Sequence, residues 1–499
     1  MDGGGIPERL GPEASAFLRE THRNLIGARW VDSQSGATLD VIDPATGAVI
    51  AKVAESAAAD VDDAVIAARQ ALESGPWSRM TASDRGRLIW KLAAGIDAAA
   101  EELAQIEALD TGRPIFECRL VDIPGSVNML EYMAGWATKI NGETMQLGIP
   151  GELHAYTERE PVGVVAVIVP WNYPLELAVW RTAPALAAGC TVIIKPAEQT
   201  PLTAIRLGQL VQAAGFPPGV VNVVTGVGEI AGAALAAHPD VDAISFTGST
   251  ETGKAIVHAA TGNMKRVFLE LGGKSPAIVL ADADLEQAIP GVAGGIFFSS
   301  GQVCTAGSRL FVDERIFDQV AEGVANYARG LKIGPGLDPA TQLGPLVSDV
   351  QLSRVMGYID AGRQDGARFL TGGKRIGDMG YFIEPTVVVN AAPEMSIYRE
   401  EVFGPVLCAQ PFKKDDLDSV VAAANNTIYG LHASIWTQNL RDAHQIARRI
   451  KAGNVCINTH NFFDPAFPMG GYKQSGWGRA AGFAAIEHYT EVKGIVARL

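Results

Sequence analysis

The amino-acid sequence predicts an α/β protein with more than one domain. Its 499 residues are too many for a single hydrophobic core. Between about residues 160 and 272, short apolar runs alternate with helical patterns, which is typical of βαβ units and a parallel sheet. A second series of the same kind begins at Pro276 and ends near Tyr472, so a second α/β domain is expected.

Composition restricts the partners and the compartment. Hydrophobic residues make up 47% of the chain and the net charge is -14, which argues against a nucleic acid or an anionic membrane as a partner. The five cysteines form no CxxC pair, so neither a disulfide framework nor a metal site is expected. The first twenty residues lack the apolar core of a secretory signal, and no apolar run reaches the roughly twenty residues of a membrane span. These features favour the cytoplasm.

The N-terminal region predicts strands and then helices. Residues 30–55 indicate short strands joined by turns, and the alanine-rich stretch 60–74 indicates a helix that ends near Gly75. A longer helix is expected over 83–109 with Ser83 as its cap, and another over 113–137 with a proline early, where a helix tolerates it.

Two polar, alternating segments predict exposed strands. Residues 141–160 have a proline and a glycine in their middle and indicate a hairpin-like excursion, and residues 490–498 have a similar character. Both could be edges that pair with another subunit, or ordinary surface strands. The sequence leaves these two interpretations open.

The buried strands of the first series follow the polar hairpin. They are predicted over 162–169, 190–195, 220–224, 243–246 and 266–270. Open α/β sheets bind their ligands beyond the carboxyl ends of such strands, so polar residues there are candidate site residues.

Cys304 is the candidate nucleophile. It lies in FFSSGQVCTAGSR, between small and polar residues just past a predicted apolar helix, where a substrate could reach it. Backbone N–H groups at such a place could lower the pKa of the thiol, and the thiolate is the reactive form. The alternative is a packed structural cysteine.

Two polar residues follow buried strands at positions suited to catalysis. Asn172, in PWNYP, could donate a hydrogen bond from its amide to an oxyanion, or could be a turn asparagine. Glu270, in FLELGGKSP, could be a general base. The glycines at 272 and 273 would let the backbone turn tightly beside its carboxylate.

Further clusters indicate a nucleotide site. Lys195 and Glu198, in IIKPAEQTP, could contact ribose hydroxyls or could be solvated turn charges. Gly248 and Ser249, in SFTGSTETG, open a predicted helix whose N–H groups could hold a phosphate. Neither this loop nor TGVGEIAG has the GxGxxG spacing of the dinucleotide fingerprint.

Taken in order, seven blocks resemble the aldehyde dehydrogenase superfamily. They are PWNYP, KPAEQTP, FTGSTETG, LELGGKSP, GQVCTAGSR, EEVFGPV and PMGGYKQSGWGR. The resemblance covers the chain from about residue 20 to its C-terminus. It implies a Rossmann-like NAD-binding domain (1–140 and 161–272), a catalytic α/β domain (273–472) and a small β oligomerisation arm (141–160 and 484–499). A homodimer or homotetramer is implied as well.

The resemblance also implies catalytic roles. Cys304 would attack the aldehyde carbon, and Asn172, with the backbone N–H of Cys304, would hold the oxyanion of the thiohemiacetal. Hydride transfer to the nicotinamide would leave a thioacyl enzyme, which Glu270 would hydrolyse by activating water.

The cofactor residues are implied in the same way. Lys195 and Glu198 would contact the adenosine ribose, Ser249 beside Gly248 would contact the pyrophosphate, and Glu401 would hold the nicotinamide ribose. Phe403 and Trp171 are expected nearby. Glu198 favours NAD, with NADP also possible.

The substrate pocket is expected to be aromatic. Tyr173, Trp180, Phe298, Phe463 and Met469 match positions that line the aldehyde tunnel in the family. Such a lining favours a hydrophobic or aryl aldehyde, as in phenylacetaldehyde-type members. It could equally bind a quaternary ammonium, as betaine aldehyde dehydrogenases do, so the alternative within the family is a betaine-aldehyde-type or amino-aldehyde substrate. Each side chain could also be ordinary core.

The sequence departs from the family pattern at Ala480, and other functions stay open as alternatives. Ala480 stands where many relatives have a glutamate that is thought to relay protons, so Glu270 would need another path to bulk water. The other functions are a cofactor-independent cysteine esterase or amidase, a catalytically silent binding relative, and a coenzyme-A-acylating dehydrogenase. Glu270 disfavours the last because that chemistry needs no activated water.

Overall fold

The computed structural model describes residues 9–413 and 416–499 and is built around two mostly parallel sheets. The first sheet has eight strands. In spatial order they are Gly476–Trp477, Arg266–Glu270, Ala243–Thr247, Val164–Ile168, Thr191–Lys195, Val221–Val223, Asn24–Ile26 and Arg29–Val31. The inner five run parallel, and the strands beyond them on both sides are antiparallel. The apolar runs therefore predict these five strands correctly.

The second sheet has seven strands and confirms the second α/β series. In spatial order they are Arg368–Thr371, Thr386–Val389, Val406–Phe412, Arg309–Asp313, Pro276–Val279, His432–Trp436 and Asn454–Ile457. All neighbours are parallel except at Arg368–Thr371, which is an antiparallel edge. The fold is α/β, as the alternation of strand and helix patterns predicts.

Helices cover the faces of both sheets. They are Pro12–Leu18, Ala58–Glu73, Ala82–Ala98, Ala100–Thr111, Ile115–Glu117, Ile123–Trp136, Pro174–Ala188, Leu202–Ala214, Ala233–Ala237, Thr250–Ala260, Leu285–Phe297, Phe317–Gly330, Asp349–Gln364, Ser396–Arg399, Leu417–Asn425, Leu440–Arg449 and Gly482–His488. Tighter or wider turns occur at Pro76–Arg79, Cys118–Asp122, Gly228–Gly232, Phe298–Gly301 and Lys473–Ser475. No helix in 9–413 and 416–499 is both long and apolar enough to cross a membrane.

Two of the predicted helices are wrong in detail. The helix expected over 83–109 is broken at Ala99, and its cap is Thr81, whose hydroxyl accepts the N–H of Asp84 at 3.2 Å, rather than Ser83. The helix expected over 113–137 starts two residues late, at Ile115, after Gly112 ends the preceding helix in a left-handed conformation. It is also interrupted by a π-helical turn at Cys118–Asp122 before it continues as Ile123–Trp136. Apolar periodicity persists across such breaks, so it does not reveal them.

Two small sheets complete the fold. Thr38–Ile42 pairs with Val49–Ala54. Thr490–Arg498 pairs along its whole length with Leu153–Pro161, which also pairs with Thr144–Met145. The polar hairpin and the last strand therefore form one antiparallel sheet.

The strand order of the first sheet positions the site. Among the five parallel strands, Val164–Ile168 comes first in the chain. The strands at 191 and 221 follow on one side of it, and the strand at 243 lies on its other side. The order therefore reverses between Val164–Ile168 and Ala243–Thr247, and ligands bind at such a reversal in open α/β sheets. Asn172 and Gly248 follow these two strands.

Candidate active site

A cavity of about 870 Å³ gathers most of the predicted site residues. It is lined by residues that flank both large sheets. Of the predicted residues, it contains Trp171, Asn172, Tyr173, Trp180, Gly248, Ser249, Glu270, Phe298, Cys304, Glu401, Phe403, Phe463 and Met469. Lys195 and Glu198 do not line it.

Cys304 is partly exposed in this cavity, so the thiol is accessible as expected. Backbone N–H groups lower the pKa of the thiol as expected, but other contributions outweigh them. Burial, followed by the carboxylates of Glu270 and Glu401, raises the pKa of the thiol to about 12. The N–H groups of Cys304 and Thr305 oppose this rise, but they are weaker than the desolvation.

Asn172 lies next to the nucleophile's loop. Its Nδ2 donates to the carbonyl oxygen of Gln302 at 2.9 Å, which fixes the amide plane. The amide group has two N–H bonds, so the second is available to another acceptor. Its Oδ1 is buried without a hydrogen-bond partner in the described chain. Asn172 can therefore donate to an oxygen in the cavity.

Glu270 has the properties of a base that works near neutral pH. Burial raises the pKa of its carboxyl to about 7, while the charges of Arg181 and Arg479 act in the opposite direction. Oε2 is buried without a hydrogen-bond partner among the described residues. A base whose pKa lies close to the working pH is well suited to proton transfer.

The paired glycines after Glu270 serve a different purpose from the one expected. Neither has a positive φ, so no left-handed turn requires them. A Cβ at Gly272 would lie 2.1 Å from Oε2 of Glu401, and one at Gly273 would lie 2.4 Å from the carbonyl oxygen of Cys304. Oε1 of Glu401 accepts the N–H of Gly273 at 2.8 Å. The glycines therefore allow Glu401 and the nucleophile's backbone to approach this loop closely.

The remaining cofactor candidates occupy strand ends and a helix start. Ser249 caps the helix Thr250–Ala260, and its Oγ accepts the N–H of Thr252 at 3.1 Å. Lys195 Nζ lies 3.2 Å from Oε2 of Glu198, at the end of the strand beside Val164–Ile168. Trp171 and Phe403 meet edge to face, with ring centroids 5.3 Å apart.

Sequence reasoning missed several residues at the site. Arg181 is buried on the helix Pro174–Ala188, and its Nη2 donates to Oγ1 of Thr247 at 2.9 Å. The sequence signal that could have found Arg181 is a single basic residue in an otherwise apolar helix. Such a residue is buried together with the helix, and a buried charge needs a partner. His460 also lines the cavity, and its Nε2 lies 3.1 Å from the carbonyl oxygen of Thr305. No sequence pattern pointed to this contact.

Ala480 is buried, and its N–H donates to the carbonyl oxygen of Met469 at 2.7 Å.

The aldehyde dehydrogenase family model matches residues 30–495. The chain belongs to the aldehyde dehydrogenase family. The seven sequence blocks identify this family correctly.

The solved and curated relatives of this aldehyde dehydrogenase are similar along nearly its whole length. The NAD+ complex of aldehyde dehydrogenase from Bacillus cereus is 47% identical, with a TM-score of 0.96 over 98% of this chain and 99% of that one. Phenylacetaldehyde dehydrogenase of Pseudomonas fluorescens is 47% identical over 96% of both chains. The human mitochondrial aldehyde dehydrogenase is 46% identical over 95% of this chain and 91% of that one.

Family membership fixes the reaction class. The chain is an aldehyde-oxidising oxidoreductase, and the esterase, amidase and catalytically silent alternatives are set aside. The match of an α/β architecture to solved aldehyde dehydrogenases agrees with the fold that the sequence predicts.

Proposed function

We propose that this aldehyde dehydrogenase oxidises hydrophobic, aryl-bearing aldehydes to carboxylic acids, with NAD as the hydride acceptor. Cys304 is the nucleophile, Asn172 the oxyanion donor and Glu270 the general base. The observation that carries the proposal is that thiol, amide and carboxylate line one cavity together with Tyr173, Trp180, Phe298 and Phe463. An aromatic wall of this kind favours apolar and aromatic acyl groups.

The first step is attack of Cys304 on the aldehyde carbon. Because burial and two carboxylates hold the thiol in its neutral form, its proton has to leave as the C–S bond forms. Glu270, with a pKa of about 7, accepts that proton and later releases it to water. The negative charge on the former aldehyde oxygen is stabilised by the free N–H of Asn172 and by the backbone at Cys304.

The second step releases the acid. NAD, when bound, supplies the acceptor for the hydride that the tetrahedral carbon loses, and the acyl group stays on Cys304 as a thioester. The ionised Glu270 then takes a proton from water, whose oxygen attacks the thioester carbon, and Cys304 leaves as its sulfur anion. Arg181, held against Thr247, keeps a fixed positive charge near Glu270, which favours the ionised form of that carboxylate.

Ser249, which lines the cavity, and Lys195 and Glu198, which do not, together fit a dinucleotide. Ser249 caps an eleven-residue helix at the site, and such a helix start favours a pyrophosphate. The side chain of Glu198 is 33% exposed and is held by Lys195, so its carboxylate can accept hydrogen bonds from ribose hydroxyls. The same carboxylate would repel a 2′-phosphate. The NAD+ complex of the Bacillus cereus relative supports NAD as the cofactor.

We expect Glu198→Ser to narrow the preference for NAD over NADP by about tenfold, because it removes one negative charge beside the ribose. The measurement is the ratio of kcat/KM for the two cofactors at a saturating aldehyde concentration. Glu73→Ser, which removes an exposed glutamate elsewhere on the first domain, is the matched control and should leave the ratio unchanged. An unchanged ratio in Glu198→Ser contradicts the ribose contact.

The cavity has open space on the side where the acyl group of the aldehyde is expected. Gly291, Gly294 and Gly295 lie together on one helix that lines it. A Cβ at Gly291 would lie 2.1 Å from the ring of Trp436, and one at Gly295 would lie 2.7 Å from the ring of His460, so packing requires both glycines. A Cβ at Gly294 would have no neighbour within 4 Å. The space beside Gly294 can therefore hold a bulky acyl group.

We expect Gly294→Leu to lower kcat/KM for phenylacetaldehyde by at least about tenfold and to change that for acetaldehyde by less than about threefold, because the new side chain fills the space that an aryl group needs. Gly357→Leu is the matched control, since Gly357 is exposed on another helix and also has open space at its Cβ. Equal losses for both aldehydes would contradict the placement of the aryl group. Higher kcat/KM for betaine aldehyde than for phenylacetaldehyde in the wild-type protein would favour the quaternary-ammonium alternative.

The assembly, the domain roles and the compartment are part of the same proposal. The sheet made by Thr490–Arg498 and Leu153–Pro161 exposes Val492 and Val496, which supports its use as an arm that contacts a second copy of the chain. We assign cofactor binding to 1–140 and 161–272 and catalysis to 273–472. All five cysteines are free, which supports a reducing, cytoplasmic location.

A further inference from the structure

The loop that leads to Cys304 contains a strained turn. Ser299 and Ser300 have φ of 52° and 55°, and Gly301 follows with a φ of 70°. Two consecutive left-handed residues with side chains are unfavourable for L-amino acids, because Cβ approaches the carbonyl oxygen. The surrounding structure must therefore hold this turn in place.

Glu117 is the side chain that holds it. Its Oε1 accepts the N–H of Ser299 at 3.1 Å, and its Oε2 lies 3.2 Å from the hydroxyl of the same serine, which donates to it. Glu117 is 1% exposed and comes from the short helix Ile115–Glu117, far from Ser299 in sequence. Both of its carboxylate oxygens are thus directed at the residue where the left-handed turn begins.

The same carboxylate is tied to the oxyanion side of the site. Arg113 Nε donates to Oε2 of Glu117 at 3.4 Å, and Arg113 Nη1 donates to the carbonyl oxygen of Asn172 at 3.3 Å. The guanidinium also lies 3.9 Å from the centre of the Tyr173 ring and is anchored by Asp122 at 2.6 Å. One buried ion-pair cluster therefore contacts both the nucleophile's loop and the strand end that carries Asn172.

The nucleophile's loop and the segment that carries Asn172 also contact each other directly, at Gln302. Gln302, which follows the left-handed turn, accepts Nδ2 of Asn172 on its carbonyl oxygen at 2.9 Å. Gln302 Oε1 in turn accepts the N–H of Val347 at 3.0 Å. A change in the path of the turn would move Gln302, and with it both the amide of Asn172 and the thiol two residues beyond.

We propose that Glu117 is a positioning residue that holds the left-handed turn at Ser299 and thereby sets the distance between the Cys304 sulfur and the Asn172 amide. Glu117 touches neither substrate nor cofactor and acts through Ser299 and Arg113. The inference rests on the proposed roles of Cys304 and Asn172.

The test is a double-mutant cycle with Glu117→Gln and Ser299→Gly. Glutamine places an N–H₂ group against two hydrogen-bond donors, so its contacts with the turn at Ser299 are weaker. We therefore expect the first-turnover rate of NADH formation to fall at least about tenfold. The Kd for NAD should change less than about twofold. Glycine adopts the left-handed conformation without strain. In the Ser299→Gly background, the loss caused by Glu117→Gln should therefore shrink to less than about threefold.

A purely structural role predicts otherwise. If Glu117 only neutralises Arg113, the same loss appears in both backgrounds, and the inference is overturned. Glu102→Gln, which alters a partly buried glutamate paired with Arg206, is the matched control and should keep the wild-type rate. If Glu117→Gln does not fold, the first-turnover rates of Ser299→Ala and Ser299→Gly are compared instead, because alanine retains the strain of the left-handed turn and glycine does not. A rate for Ser299→Ala that equals or exceeds the rate for Ser299→Gly overturns the inference.

Cys304→Ala is assayed beside the cycle. Turnover in Cys304→Ala would overturn the proposed function itself. No turnover in Cys304→Ala together with a wild-type rate in Glu117→Gln would overturn only the role of Glu117.

Discussion

Cys304→Ala should abolish NADH formation from every aldehyde, with a loss of at least about 10⁴-fold in kcat, because Cys304 is the one thiol among the described residues that line the cavity. The measurement is NADH absorbance at saturating NAD and aldehyde. Binding of NAD should persist, since the proposed ribose and pyrophosphate contacts do not involve this sulfur. Calorimetric titration with NAD checks that point.

Cys456→Ala is the matched control for this variant. Cys456 is a free cysteine that does not line the cavity, so its loss should leave turnover close to that of the wild type. Residual NADH formation in Cys304→Ala above one-hundredth of the wild-type rate would show that another group or a direct hydride transfer carries the reaction. The nucleophile assignment would then be wrong.

Glu270→Gln should separate the two halves of the reaction. Glutamine cannot accept a proton from water, so steady-state turnover is expected to fall by about 10² to 10⁴-fold. Acylation should also slow, because Glu270 accepts the thiol proton, but it should still deliver up to one NADH per active site, since the partly exposed thiol can lose its proton to solvent. Stopped-flow absorbance therefore should show a burst followed by a slow phase.

The pH dependence of the wild-type enzyme tests the same residue. Because the pKa of Glu270 is raised to about 7, its carboxylate is present above that pH and is lost below it. Deacylation should therefore rise roughly tenfold per pH unit up to pH 7 and then level off. Glu102→Gln should retain this profile. A Glu270→Gln variant that keeps both the profile and the steady-state rate would remove Glu270 from the general-base role.

The sequence predicts the fold well because each signal is local. Four of the five inner strands of the first sheet are buried along their whole length, and Arg266–Glu270 is buried at its carboxyl end. They therefore appear as continuous apolar runs with turn residues at their ends. Polar residues at the ends of these runs, such as Asn172 and Glu270, meet because parallel strands bring their carboxyl ends to one edge. The proposed reacting groups could therefore be predicted from strand ends and one loop, whereas the aromatic lining of the cavity was implied only by the family resemblance.

The remaining features depend on contacts between distant segments. The raised pKa of Cys304 comes from desolvation and from Glu401, which lies almost a hundred residues further along the chain. The glycines at 272 and 273 are needed because of what approaches them, which no local pattern shows. Glu117 and Arg181 are charged residues in helices, and only their buried contacts, with Ser299 and Thr247 respectively, connect them to the active site.

The most direct test of the account is the mass of the Cys304 peptide after a single turnover in Glu270→Gln, quenched in acid and digested. With both NAD and phenylacetaldehyde present, we predict that this peptide gains the mass of the phenylacetyl group in proportion to the NADH formed. With aldehyde alone it should gain none, since the thioester forms only after hydride leaves. NADH formation without an acyl group on this peptide, or with the acyl group on another residue, would contradict the account.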